Sequence, residues 1–196
     1  MRLRPEQIQS HLDKELAPVY LISGDEPFQL EQVSTAIRNG AQAQGHRDRE
    51  IMHVDRSFDW QQLSASADAL SLFAEKRLLE LRMPTGKPGD AGGKALVRYC
   101  DNPPVDTVLL IVAGKLEKAQ QNTKWFKALE QIGVVVQVWP VEADRLPAWI
   151  KQRMQLRDMQ PTPEALAMLA DRVEGNLLAA DQELEKLRLL TGGGSV

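Results

Sequence analysis

Strand-like segments alternate with helix-like segments along most of the chain, and this alternation constrains the fold more than any other feature. Segments rich in β-branched and aliphatic residues predict five strands: Val19–Ile22, Glu50–Val54, Arg77–Leu81, Thr107–Val112 and Val134–Trp139. Helical spacing between them predicts helices from Pro27 to Gly45, at Gly93–Cys100 and at Asn122–Ile132, while the Gly- and Pro-rich segment Pro84–Gly93 predicts a loop. This order predicts an α/β fold with a mostly parallel sheet, helices on both faces and right-handed crossovers.

The composition changes at Trp139, beyond which β-branched runs stop and the sequence is helix-like. Three helices are expected there: Arg145–Met159, Pro163–Arg172 and Asn176–Leu190. Thr162 is a suitable cap for the second of them, since Pro163 then takes the first helical position. The sequence therefore predicts an α/β domain over residues 1–140 and a small three-helix domain over residues 141–196.

The composition also argues against several classes of protein. The 196 residues carry a net charge of −3 with acidic and basic residues interspersed, which argues against a generally basic surface for nucleic acid. Cys100 is the only cysteine, so neither an internal disulfide nor a cysteine-based zinc cluster is expected. Since no apolar run approaches the roughly 20 residues that span a bilayer, we expect a soluble, cytoplasmic protein without a membrane partner.

The turn after the first predicted strand resembles a nucleotide-binding turn without its phosphate-binding residues. A phosphate loop needs glycine N–H groups, then Lys and Ser or Thr for the phosphates and Mg²⁺. Here Gly24 is followed by Asp25 and Glu26, which would repel a triphosphate, and by Pro27, which lacks an N–H donor. The pattern predicts an NTPase-like architecture that does not bind nucleotide.

A second element of ATP hydrolysis is also missing. Hydrolysis needs an acidic residue at the end of a hydrophobic strand, and neither Leu78–Met83 nor Val108–Val112 ends in one. The three histidines are scattered, and the carboxylates lie among Lys and Arg on predicted helix faces. We therefore expect no catalytic residue, no cofactor and no metal site, and the sequence favours a binding or assembly role.

The segment from Leu63 to Ala74 has two apolar faces when it is drawn as a helix. One face carries Leu63, Ala67, Leu70 and Ala74, and the other carries Ala65, Ala69, Leu72 and Phe73. Two interpretations of the Leu72–Phe73 pair remain: burial under neighbouring loops, or exposure as an interaction site for a partner.

Lysines also cluster next to an aromatic pair. Lys115, Lys118 and Lys124 precede Trp125 and Phe126, a combination that can contact a nucleic-acid backbone. The alternative is an ordinary amphipathic helix with the aromatic residues packed and the lysines solvated. Nearby acidic residues dilute the charge, which favours that alternative.

Four segments together resemble a known family, the delta subunit of the bacterial DNA polymerase III clamp loader. They follow the family's order along nearly the whole chain: Val19–Phe28 with Leu30, Leu70–Phe73, Leu109–Gln120 and Glu174–Ala179. The resemblance implies an AAA+-like (P-loop NTPase-like) first domain without ATPase activity and a small helical lid domain. It also implies a third, collar-forming domain in family members, which we expect this chain to lack. Active relatives place an Arg near the position of Leu178, and a leucine there cannot sense nucleotide.

In that family the subunit binds the ring-shaped sliding clamp, the beta subunit, and holds it open for loading onto primed DNA. The resemblance places Leu72 and Phe73 in a hydrophobic pocket of the clamp, with Leu70 in support, and so favours their exposure. ATP hydrolysis would belong to partner subunits, namely delta prime and tau/gamma, and contact with primed DNA would be indirect or weak.

Two other functions stay open from the sequence. An atypical nucleotide-binding AAA+ ATPase would bind Mg-nucleotide tightly despite Asp25 and Glu26. A replication protein that binds DNA directly through Lys115, Lys118 and Lys124 would show salt-dependent affinity that is lost when those lysines are replaced.

Overall fold

The computed structural model describes residues 1–68, 76–192 and 194–195. These residues form two compact units, one from Met1 to Trp139 and one from Pro140 onward.

A parallel sheet is the centre of the first unit. Within the described residues it has six strands: β1 (Arg2–Leu3), β2 (Val19–Gly24), β3 (His46–His53), β4 (Lys76–Met83), β5 (Thr107–Ala113) and β6 (Val134–Val138). Their spatial order is β1-β6-β2-β5-β4-β3, with every neighbouring pair parallel. The predicted parallel sheet is confirmed, and the carboxyl ends of β2, β4 and β5 lie side by side at one edge.

Helices cover both faces of this sheet. They are α1 (Ile8–Leu12), α2 (Pro27–Ala43), α3 (Gln61–Asp68), α4 (Gly89–Asp101), α5 (Lys118–Gln121) and α6 (Lys124–Ile132), with a short 3₁₀ turn at Pro5–Gln7. Ile37 of α2 packs in a core with Tyr20 and Ile22, whereas Phe126 of α6 packs on the opposite face with Leu21. Both cores depend on the alternation of side chains along each strand.

Helix α4 corrects the predicted loop over Pro84–Gly93. The helix begins at Gly89, so the prediction is wrong for its last residues. A Cβ at Gly92 would overlap the Trp60 indole, which explains why glycine occupies this position in the helix. Helix propensity alone predicts a later start, at Gly93. The chain does turn sharply before α4, because Gly86 has a φ of +63°.

The strands differ from their predicted bounds, most of all β3, and one strand was not predicted. Strand β3 begins at His46 instead of Glu50, and its charged first half lies on the edge of the sheet. Strand β1 was not predicted, because two residues are too few to show an alternation of apolar and polar side chains.

The second unit consists of helices with one very short strand pair. The helices are α7 (Leu146–Gln155), α8 (Pro163–Val173) and α9 (Leu177–Thr191), preceded by a 3₁₀ turn at Ala143–Arg145. Met159, predicted to end the first helix, instead lies in β7 (Met159–Gln160), which pairs with β8 (Gly194–Ser195). The predicted cap is confirmed: Thr162 Oγ1 accepts a hydrogen bond from the Ala165 N–H at 3.2 Å.

Candidate functional site

The turn between β2 and α2 is filled by its own carboxylate. Glu26 occupies the N-cap of α2, where its side chain accepts hydrogen bonds from the N–H groups of Phe28 at 3.2 Å and Gln29 at 2.6 Å. Pro27 has no N–H, and the N–H of Leu30 already bonds to the Glu26 carbonyl at 3.1 Å. The helix N-terminus that would bind phosphate in an active NTPase is therefore saturated from within.

The outer side of this turn is also occupied. Lys115, which follows β5, lies with its Nζ 3.6 Å from Asp25 Oδ2 and 5.7 Å from the centre of the Trp139 ring. Gln29 Nε2 donates to the Trp139 carbonyl at 3.0 Å. Gly24 is required at the end of β2, because a Cβ there would overlap the Val138 carbonyl. The turn is a packed junction with a paired lysine.

Strand β4 contains a buried carboxylate that the sequence analysis did not single out. Glu80 is fully buried, and its carboxylate accepts hydrogen bonds from Arg49 at 2.6 Å and from Arg82 at 2.8 Å, with Arg38 Nη1 at 3.5 Å. Burial opposes its ionisation. The hydrogen bonds from Arg82 and Arg49 outweigh burial, so the pKa of Glu80 lies below its usual value. The carboxylate is committed to three guanidinium groups and is not placed to hold Mg²⁺.

The predicted clamp-binding residues Leu70, Leu72 and Phe73 lie outside the described residues. The helix that leads toward them, α3, is described and has two different sides. Leu63 is buried in the core, whereas Ala65 is exposed to solvent. Asp59 Oδ1 accepts a hydrogen bond from the Gln61 N–H at 2.9 Å, as expected for a residue that caps this helix.

Arg77 connects the two ends of the chain that flank this segment. Its Nη1 donates to the carbonyl of Ser66 in α3 at 2.8 Å, and its Nη2 and Nε donate to Glu50 at 2.9 Å and Asp48 at 2.7 Å in β3. Ser66 Oγ also donates to Glu50 at 2.9 Å. Arg77 is the second residue of β4, so this cluster, here called the Arg77 clasp, ties α3 to the strand that follows the segment.

The three lysines proposed as DNA contacts occupy different surroundings. Lys115 pairs with Asp25, as described above, while Lys118 is exposed at the start of α5 and Lys124 is exposed at the start of α6. Trp125 and Phe126 are both buried, with their rings in an edge-to-face contact at 6.0 Å between centroids. Neither ring presents an open face to solvent.

In the described ranges, no three His, Cys, Asp or Glu side chains lie together as a metal-binding group, and no helix is both long and apolar enough to cross a membrane.

Comparison with known proteins gives the family of the chain. Residues 20–138 match the family model described as DNA polymerase III, delta subunit. The chain belongs to this delta subunit family. The family match covers β2 to β6, so it includes the saturated turn, the Arg77 clasp and the segment that carries Leu72 and Phe73.

Curated delta subunits match most or all of the chain. The DNA polymerase III subunit delta of Escherichia coli is 34% identical over 196 residues, which cover 100% of this chain and 57% of that protein. The subunit delta of Bacillus subtilis is 25% identical, over 91% of this chain and 53% of that protein. The chain thus spans little more than half the length of these relatives.

Solved structures support the fold. The Bacillus subtilis DNA clamp loader delta protein superposes with a TM-score of 0.78 at 21% identity, over 98% of this chain and 59% of that one. The RuvB Holliday junction branch migration motor of Thermotoga maritima gives 0.56 at 13% identity, over 96% and 64%. The predicted AAA+-like architecture, a parallel sheet flanked by helices and followed by a small helical unit, is confirmed.

Proposed function

We propose that this delta-family chain is a non-catalytic clamp-loader subunit that binds the sliding clamp, the beta subunit, through Leu72 and Phe73, with Leu70 in support. Family membership together with the two-sided α3 carries the proposal. The sequence pattern also supports it: when the segment is drawn as a helix, Leu72 falls on the same apolar face as Ala65, and Leu70 falls on the face that carries Leu63.

Two apolar side chains entering a preformed pocket suffice for a specific contact. Each contributes on the order of 2 kcal/mol when it is fully desolvated at the centre of an interface. Opening of the ring follows if this surface fits the open clamp better than the closed clamp, because a ligand shifts an equilibrium only through its differential affinity.

The proposal assigns nucleotide chemistry to other subunits. The Glu26 side chain occupies the N–H groups at the N-terminus of α2, and Glu80 is bound by arginines. The N–H groups and the carboxylate with which an ATPase would bind phosphate and Mg²⁺ are therefore already engaged. ATP hydrolysis then belongs to partners such as delta prime and tau/gamma. Residues 1–140 act as the clamp-binding domain and residues 141–196 as a lid, in a nucleoid-associated cytoplasmic assembly that meets primed DNA indirectly.

Clamp binding by a Leu72→Ala/Phe73→Ala variant tests the proposal. We expect the native chain to bind its cognate clamp and the variant to bind about a hundredfold more weakly, or worse, at unchanged folding. Leu189→Ala/Leu190→Ala is the matched control, since that pair is 70% and 83% exposed in α9. Equal binding by native chain and variant, or equal losses in variant and control, would overturn the assignment.

A further inference from the structure

A groove lies between α4 and α6 in the first unit. Its volume is about 650 Å³, within the usual range of ligand sites. Its apolar floor comes from Pro88, Gly93, Val97 and Trp125. The groove is separate from the saturated turn and from the Arg77 clasp, because none of their residues lines it.

Four cationic side chains surround this floor: Lys87, Lys94, Arg98 and Lys124. None of them forms an ion pair with any residue in the described ranges, in contrast to Lys115, Arg77 and the arginines around Glu80. Asp90 and Asp101 also line the groove, which leaves it with a net excess of positive charge. Unpaired cations around an apolar floor provide charge complementarity for an anionic ligand with an apolar part.

The groove is held in shape without a ligand. Gln120 Nε2 donates to the Gly86 carbonyl at 2.9 Å and so joins α5 to the loop that leads into α4. The Thr123 hydroxyl donates to the Gln120 carbonyl at 2.6 Å, and no side chain caps the N-terminus of α6. The first N–H groups of α6 therefore add to the positive potential beside Lys124.

The lining argues for a peptide over a nucleic acid. Trp125 is only 6% exposed, so it offers no ring face on which a base can stack. Asp90 and Asp101 stand near the two ends of the α4 face, about 16 Å apart by the helical rise, and would repel an anionic chain that extended past either end of the groove. A stretch of about five extended residues fits between them.

We infer that this groove binds a short acidic peptide segment of a partner protein, with carboxylates beside Lys94, Arg98 and Lys124 and one apolar side chain on Val97. The arginine can bind a carboxylate through two parallel hydrogen bonds, whereas the lysines act as point charges. This inference concerns a site apart from Leu72 and Phe73 and holds whether or not the chain binds a clamp.

Fluorescence anisotropy with a labelled five-residue peptide, four aspartates around a central leucine, tests the inference on the whole chain at physiological salt. We expect saturable binding that weakens about tenfold or more in Lys94→Glu/Arg98→Glu. The control Lys14→Glu/Lys151→Glu has the same charge change at exposed positions elsewhere and keeps the native affinity.

A second variant separates the groove from general attraction. Gly93→Met fills the floor without changing the charge, and replacing a helical glycine favours the helix, so we expect a folded chain that has lost the peptide. Native-like peptide binding by Gly93→Met, an equal loss in the control variant, no saturable binding by the native chain, or tighter binding of pentathymidylate at the same groove would each overturn the inference.

Discussion

Two carboxylates, Glu26 and Glu80, are engaged by other groups of this delta-family chain. Glu26 accepts two backbone hydrogen bonds at the helix N-terminus where an active relative would hold phosphate. An N-cap carboxylate also interacts favourably with the helix dipole. Glu26 therefore both stabilises α2 and occupies N–H groups that a bound phosphate would need.

Replacement of Glu26 tests this dual role. Glu26→Ala removes the cap and should lower the free energy of unfolding by about 1 kcal/mol, whereas Glu26→Ser should restore most of it. Urea denaturation measures both. Neither variant should bind Mg-ATP in calorimetry, because Pro27 and the missing Lys-Ser/Thr pair remain; nucleotide binding by Glu26→Ser would show that the carboxylate alone blocks the site.

Glu80 provides the clearest pH-dependent contribution. Glu80→Gln leaves three guanidinium groups around a neutral amide and should cost about 3 kcal/mol at neutral pH. The unfolded carboxyl titrates at the ordinary value of 4.5 and the folded one below it. The contribution of Glu80 to the free energy of unfolding is therefore complete above pH 4.5, and it is lost as the pH falls through the pKa of the folded state.

Chemical denaturation at a series of pH values measures this difference. The gap between native chain and Glu80→Gln should narrow as the pH falls below 4.5. Glu31→Gln is the matched control, since the Glu31 side chain is 68% exposed where it meets Arg38, and it should change stability little. A gap that widens toward acid pH would contradict the account.

At the scale of secondary-structure elements, the Arg77 clasp holds together α3 and β4, which flank the proposed clamp-binding segment. Arg77→Lys keeps the charge but cannot reach Ser66, Glu50 and Asp48 together. We expect clamp affinity to fall about tenfold, or about 1.4 kcal/mol, at a temperature where the variant is fully folded.

Arg49→Lys is the control for the clasp, because Arg49 lies in β3 between Asp48 and Glu50 of the clasp but binds Glu80 on the other face of the sheet. It should lower the melting temperature without changing clamp affinity. Equal clamp affinities for Arg77→Lys and the native chain would show that the clasp only stabilises the sheet.

The elements that the sequence predicts are those whose pattern is local. Strands such as β5 are predictable from their continuous aliphatic runs, and the start of α8 is predictable from Thr162 and Pro163. Helix α4 begins in a Gly-rich stretch, and its start depends on Gly92 packing against Trp60, which is distant in sequence. Contacts of that kind leave no local signal.

At the scale of the whole molecule, features encoded by neighbouring residues were predictable, and features that join residues distant in sequence were not. The missing phosphate motif is predictable from Asp25, Glu26 and Pro27 because these residues are contiguous, whereas the capping of α2 by the Glu26 side chain was not predicted. The Arg77 clasp and the Glu80 cluster join residues from separate elements, so neither could be found by spacing. Arginines that lie close in sequence to a strand with a single glutamate are at most a weak signal of such ion pairs.

The most direct test of the central claim is the affinity of the native chain for its cognate clamp with and without Mg-ATP, measured by calorimetry. We expect the same affinity in both conditions and no heat of nucleotide binding in the absence of clamp. A chain that binds the clamp only with Mg-ATP, or that binds Mg-ATP by itself, would contradict the claim that this is a clamp-binding subunit without nucleotide chemistry.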